Sequence, residues 1–369
     1  MSTLTKAPAP PVQTTRVARS AARQRRRRWT TALVASALAG AVVVWLLFAG
    51  GAPEPAPART EGEGTAPAPA SAGGPTVAIS LRGAAVPLMA VVAPRPGGDS
   101  PALTIPADMS LAIPGLGEGT SAAIAEQNGE GLRVSLSNTV GTWIDHYLIL
   151  DRNDLASIAD AAGGFTVTLP GTATLSSGTI GPGAVALTGA QVSEYLDIDG
   201  PNAFTRWEVV LPALLRAQTG GALTGRSDDL EAVAGLLPVG GEVRIDTFPS
   251  RIAAGSTRVP DYGALDPLMA KEFGVPRPPV AVLVQNGVGD PGLGAEVAAR
   301  IVPKGFRVVL SGSADTFDQR RTQVVAGGDA HVADAQRARR ALGVGVVGVT
   351  DVPSGVADIT IVIGKDFTA

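Results

Sequence analysis

The residues of this 369-residue chain that are able to do chemistry are mostly acids and arginines, thinly spread. Asp108 follows Ile105-Pro106-Ala107, at a turn after a short apolar run. Asp151, Asp197 and Asp199 are hard oxygen donors of the kind that hold magnesium; the alternative is a solvated acidic loop after a helix. Arg152, Arg206 and Arg216 carry the forked donors that grip phosphate, although scattered arginines also form surface ion pairs. His146, beside Tyr147 in an apolar run, is either a general base or a half-buried histidine with its bonds satisfied. Trp143 and Trp207 suit a lipid groove or a core. Asn286-Gly287 is a functional loop or a plain turn dipeptide, and Ser311-Gly312-Ser313 lacks the strand–turn–helix setting of a nucleophile elbow.

Composition narrows the chemistry further. With no cysteine, a disulfide scaffold, a lipidated Cys, thiolate zinc, iron–sulfur clusters and thiol catalysis are excluded. Two histidines, His146 and His331, are too few for a His-rich metal site. An apolar fraction of 45% supports real cores, while 46 Gly and 29 Pro leave part of the chain as loop or linker. The length allows two folded units or three.

The net charge of −3 hides an asymmetry. Residues 1–28 carry Lys6, Arg16, Arg19, Arg23 and Arg25–Arg28 with no acid, while 22 basic and 33 acidic residues fall on the remainder. Trp29 to Phe48 is an uncharged apolar run, and twenty residues at ~1.5 Å each span the ~30 Å of a bilayer core. Trp29 and Trp45 suit the two interfaces, and the arginines flush against the N-terminal side place that side in the cytoplasm. The rival is a cleaved signal peptide with Ala49–Ala52 at the cut, but the apolar run and basic leader are long for one. Residues 49–75, rich in Pro, Ala and Gly, read as an extended tether. The expected organisation is a basic leader at 1–28, a transmembrane helix at 29–48, a linker at 49–75 and extracytoplasmic domains at 76–275 and 279–367.

The elements that must position the candidate residues follow from periodicity. Strands are expected at Thr76–Ser80, Pro87–Ala93, Ala102–Pro106, Asp145–Leu150, Phe165–Leu169 and Val243–Phe248. Helices are expected at Ser121–Asn128, Asn153–Ala162, Thr188–Leu196, Phe204–Gln218 (kinked at Pro212 or starting a new turn there), Leu230–Leu237 and Asp266–Glu272. Pro276–Pro279 marks a boundary. Beyond it, strands at Val280–Gln285, Phe306–Leu310, Thr322–Ala326 and Asp358–Ile363 alternate with helices at Leu293–Val302 and Ala330–Leu342, a small βαββαβ-like domain. The fold class is α/β, with a central sheet in the first domain.

Three segments of the first domain carry a family pattern: Ile105-Pro106-Ala107-Asp108 with Ile113-Pro114-Gly115; Ile144-Asp145-His146-Tyr147 with Ile158 to Val167; and Leu187-Thr188-Gly189-Ala190-Gln191 with Tyr195 and Phe204-Thr205-Arg206. Their order and spacing resemble the LytR-CpsA-Psr (LCP) family of envelope proteins. The second domain resembles that family's LytR C-terminal domain through Val280–Val284, Asn286-Gly287, Gly292-Leu293, Gly305-Phe306, Thr322 and Gly364-Lys365-Asp366-Phe367. The resemblance implies a ligase that moves a glycopolymer from a polyprenyl pyrophosphate lipid to peptidoglycan, gripping pyrophosphate with arginines and magnesium with carboxylates. It also implies an apolar cavity for the lipid tail, lined by Ile144–Leu150, Phe165–Leu169 and the helix from Phe204.

Against that pattern the charges are inverted. The expected arginine before Asp108 is Ala107, and an expected arginine pair falls on Asp197 and Asp199. Arg206 survives, but the acid before its segment is Ala203 and the Arg-Gln after it is Val209-Val210. Each charge-assisted bond is worth about 1.5–3 kcal/mol, so losing four removes most pyrophosphate affinity, and two carboxylates repel what remains.

The resulting expectation is a non-catalytic binding or scaffolding protein of cell-wall polymer assembly. Its partners would be the membrane, a polyprenyl-linked glycopolymer or peptidoglycan, and other envelope-assembly proteins, but no nucleic acid. The alternative is a magnesium-dependent phosphotransferase with a rearranged site. Candidate catalytic residues are Asp108 and Arg206; candidate ligand contacts are Asp108, Arg206, Trp207 and Tyr147; candidate metal ligands are Asp108, Asp197 and Asp199. Magnesium is a cofactor only under the transferase reading.

Overall fold

The computed structural model describes residues 74–83, 87–95, 98–127, 129–198, 203–217, 242–253, 255–275, 277–351 and 355–368. The expected membrane helix at 29–48, most of its linker, the helix at Leu230–Leu237 and Asp199 lie outside them. Among the described residues no helix is long and apolar enough to cross a membrane. The chain divides into two compact units, 1–59 and 60–369. The second contains every core described below and so has the means to fold by itself.

The first sheet grows from apolar runs in which both side-chain parities are buried. Strands β1 (Val77–Leu81), β2 (Leu88–Val92) and β3 (Ser100–Ile105) form an antiparallel meander. After β4 (Ser110–Ile113) and β5 (Gly117–Thr120), a hairpin, come helices α1 (Ser121–Ala125) and α2 (Gly129–Val140). Strand β6 (His146–Leu150) then joins β1 in parallel. Helix α3 (Arg152–Ala161) leads to β7 (Phe165–Leu169), the β8 (Ala173–Leu175) and β9 (Gly178–Ile180) hairpin, and β10 (Gly183–Leu187), which pairs with β7. Helices α4 (Gly189–Asp197) and α5 (Ala203–Ala217) follow, then β11 (Val243–Thr247), parallel to β3. The hairpin of β12 (Ser250–Ile252) and β13 (Arg258–Pro260) precedes α6 (Tyr262–Phe273). The sheet order is β11-β3-β2-β1-β6.

Alternation on β1 sends Val77, Ile79 and Leu81 into one core with α3, α4, α5 and β7, and Ala78 into a second with α1, α2 and α6. Both faces are therefore covered, which is why these strands read as continuous apolar runs. Pro212 lies inside α5 without ending it, so the expected new turn is absent.

The second sheet contains β14 (Val280–Asn286), β15 (Phe306–Ser313), β16 (Gln323–Ala326), β17 (Val346–Val349) and β18 (Ile359–Ile363), in the order β15-β14-β18-β16-β17. Helices α7 (Leu293–Ile301) and α8 (Val332–Leu342) cover it, and their apolar residues make the third core. The domain has one strand more than the sequence implied, because β17 hides in the Gly-rich run 343–348.

Helix α2 ties the two sheets together. Leu132, Leu136 and Val140 enter the second core, whereas Val134 enters the third, joined by Trp143 just beyond the helix. Asn138, 1% exposed, donates from Nδ2 to the Val308 carbonyl (2.9 Å) and accepts the Val308 N–H at Oδ1 (2.6 Å). Its amide thus acts as one more strand residue along the edge of β15. Buried Arg307 donates to Asp266 of α6 (2.9 Å) and stacks on Tyr262 at 4.1 Å. The Tyr262 hydroxyl is pushed above its ordinary pKa, chiefly by burial. A methyl group on Gly115 would lie 2.9 Å from the Ala295 nitrogen, and the φ of +78° there also requires glycine.

Candidate functional site

The Asp108 turn is fixed from beneath. Met109 is fully buried, Ser121 donates from its N–H to the Met109 carbonyl (2.8 Å), and Ala122 donates to the Ala107 carbonyl (3.1 Å). This leaves the Asp108 side chain 68% exposed. Both of its oxygens face one guanidinium: Arg258 Nε lies 3.0 Å from Oδ1 and 3.2 Å from Oδ2. Arg258 also donates from Nη1 to Ser250 Oγ (3.1 Å). One arginine, supplied 150 positions away by β13, therefore occupies the carboxylate.

The family-like segments around α3 and α4 are spent on framework. Asp151 caps α3 in a reciprocal box with Asp154, at 2.8 and 3.0 Å. Thr188 and Gln191 do the same for α4. Asp160 accepts the Gly189 N–H at 2.7 Å, and a Cβ on Gly189 would sit 2.1 Å from the Ala156 carbonyl oxygen. The glycine is required because α4 starts against α3. Asp151 is thus a helix cap, and Asp197 is salt-bridged to Arg152.

Arg206 is 7% exposed and its Nη2 donates to the Ile198 carbonyl. It also faces Tyr195, whose hydroxyl burial pushes up in pKa while Arg206 partly offsets the rise. Arg152 and Arg206 thus meet at adjacent residues, 197 and 198, at the end of α4, each held by its own acceptor. Arg216 is exposed and donates to the Thr166 carbonyl at 3.5 Å, beside a surface cleft of about 490 Å³ between Gly164–Thr168 and the last turn of α5.

The aromatic candidates separate. Trp207 is fully buried in the first core, and Tyr147, on the other face of the sheet, packs against the second. Trp143 belongs to the third core, under Arg133 at 4.7 Å. The inward apolar residues of the elements expected to line a lipid cavity pack into the first core: Leu148, Leu150, Phe165, Val167, Leu169, Trp207, Val210, Leu211 and Leu214 are each at most 2% exposed. His146 opens β6, half-buried. Asn286 accepts the Val288 and Gly289 N–H groups at 3.0 and 2.9 Å, the geometry of a turn.

The donors among the described residues do not fit a bound magnesium ion. Asp108 is taken by Arg258 and Asp197 by Arg152, and among the described residues no group of three His, Cys, Asp or Glu converges. Sequence reasoning missed Arg258 and also Glu208, which accepts from Thr104 and Thr247 hydroxyls at 2.9 and 2.8 Å and straps α5 to β3 and β11. Arg258 carries no local signal, since its strand has three residues.

Comparison with known proteins gives one family match: residues 279–367 fit the model described as LytR cell envelope-related transcriptional attenuator. This bears out the resemblance of the C-terminal domain. No curated protein matches the sequence. Similar solved structures include a transcriptional regulator from Enterococcus faecalis (16% identity, TM-score 0.44, covering 55% of this chain and 88% of that one). A LytR-Csp2A-Psr enzyme from Actinomyces oris matches at 19% identity and TM-score 0.40, over 54% and 90%. The YwtF (TagT) protein with bound octaprenyl pyrophosphate lipid, known also from Bacillus subtilis, matches at 15% and 0.42, over 55% and 92%.

Proposed function

We propose that this chain, whose residues 279–367 form a LytR-type C-terminal domain, is a membrane-anchored cell-envelope protein. In this reading its LCP-like first domain binds or scaffolds in wall-polymer assembly and does not catalyse transfer. The anchor reading rests on the apolar run 29–48 and its arginine flank. The non-catalytic reading rests on one observation. At the described positions where an LCP ligase would meet a pyrophosphate, each charged group already has a partner within the chain: Asp108 pairs with Arg258, Asp197 pairs with Arg152, and Arg206 donates to the Ile198 carbonyl. The close packing of the described residues around Trp207 supports the same reading.

The second reading, a phosphotransferase with a rearranged site, draws on Arg152 and Arg206 binding the adjacent residues Asp197 and Ile198 at the end of α4. It requires both to release their present acceptors. The deciding experiment incubates the unit 60–369 with a polyprenyl pyrophosphate-linked glycan, peptidoglycan and magnesium. No transfer and no pyrophosphate release is the expected result. Turnover abolished by Asp108→Ala and by Arg206→Ala would overturn the non-catalytic reading.

A further inference from the structure

Three chain segments converge at one end of the second sheet. Arg320 and Arg321 lead into β16, Lys365 follows β18, and Arg339 and Arg340 lie in the last turn of α8, which passes through Gly343 into β17. The strand register places these segments together. Gln323 pairs with Val362 on one side and Val346 on the other, Val346 N–H donates to the Thr322 carbonyl (2.9 Å), and Lys365 N–H donates to the Gln319 carbonyl (2.9 Å). All five cations are exposed, and among the described residues none has an ion-pair partner.

Other arginines of the same domain are employed. Arg307 holds Asp266, Arg337 holds Asp334, and Arg300 donates to the Leu342 and Thr368 carbonyls. Of the acids next to the patch, Asp366 is turned inward to the Thr322 N–H and hydroxyl, at 2.6 and 2.8 Å, while Asp318 stays exposed in the preceding loop. The helix C-terminus favours Arg339 and Arg340 where they stand. It does not account for Arg320, Arg321 and Lys365, which lie on non-helical segments.

We infer that this end of the C-terminal domain is a docking surface for a phosphodiester-linked polymer. Four of the five cations are guanidinium forks, which engage phosphate oxygens in pairs, and their spread over three segments suits an extended repeating anion. The rest of the unit 60–369 is acidic, so within it the attraction is local to this end.

The patch is remote from the segment around Thr76, where the described part of the chain begins. Thr76 Oγ1 donates to the Trp143 carbonyl (2.8 Å), and neighbouring Gly141 abuts Arg307 and Pro279, where β15 and β14 begin. The patch lies at the opposite end of that sheet, because β18 ends where β14 ends, Ile363 against Asn286.

The test titrates a short synthetic poly(glycerol phosphate) into the unit 60–369 at low ionic strength and follows binding by calorimetry. The expected result is binding that weakens with added salt and falls by about tenfold or more in Arg339→Glu/Arg340→Glu. The milder Arg339→Gln/Arg340→Gln should show a smaller loss, and melting curves establish that each variant is folded. The control pair Arg251→Glu/Arg277→Glu, exposed and distant in sequence, should bind as the parent does. Absence of binding, equal loss in the control pair, or preference for phosphatidylglycerol vesicles at equal phosphate would each overturn the inference. The transfer assay reads the first domain, so failure there leaves this outcome separately visible.

Discussion

Replacing Asn138 by Ala should be among the most damaging small changes in the molecule. The side chain is 1% exposed and satisfies both backbone groups of Val308. The substitution leaves that N–H and that carbonyl without partners between two cores. An orphaned buried polar group costs about 1–3 kcal/mol, so the pair amounts to about 2–5 kcal/mol once some relaxation is allowed. For a body of this size that lowers the melting temperature by about 5–15 °C. The comparison variant is Ser135→Ala, one turn earlier and equally buried, which loses a single bond to Gln127 (2.7 Å) and should cost about 1 kcal/mol. Thermal denaturation of the unit 60–369, followed by circular dichroism, measures both. If Asn138→Ala melts within about 1 °C of the parent, the amide does not hold β15, and the account of how the two sheets are joined is wrong.

Two further outcomes are expected. Within residues 60–369 there are two tryptophans, Trp143 in the third core and Trp207 in the first; in Trp143→Phe and Trp207→Phe variants the remaining tryptophan's fluorescence should report the same urea midpoint once shifts in stability are corrected by circular dichroism, and two separated transitions would mean that the sheets unfold independently. Glu272 is buried between Lys271 (2.8 Å) and Arg244, and these cations hold its carboxyl below the ordinary range. The unfolded chain therefore takes up the proton first on acidification, so this contribution is complete above the usual glutamate pKa of about 4.3 and is lost as pH falls through the folded value. Glu272→Gln should flatten that part of the stability–pH curve, and an unchanged curve would remove the assignment.

Much of the fold was legible because its strands carry unbroken apolar runs and its helices carry caps. Phe165–Leu169 alternates buried and exposed residues along its whole length, and Thr188 with Gln191 announces the start of α4. Helix α2 was not legible. Its sequence GEGLRVSLSNTV combines glycine, β-branched residues and small polar residues, and it shows no polar face because it is enclosed by two cores. Helix α6 was read too short because Pro267 sits inside it rather than at its start. The acids at the site and Arg152 were visible in the sequence, but Arg258 and the pairing of acids with arginines were not. The ion pair between Asp108 and Arg258 joins residues 150 apart, and no local pattern of either segment encodes it.

The sharing of α2 between cores has a consequence for where the chain tolerates damage. A product ending before Pro279 would leave Val134, Trp143 and the Asn138 amide facing water, so a stop codon in the last quarter of the gene would strike residues a hundred and more positions upstream. Swapping the terminal domain for one from a relative would carry the same penalty unless α2 were exchanged with it. Inheritance of the two domains is thereby coupled at Val134, Asn138 and Trp143, which belong, by position alone, to only one of them.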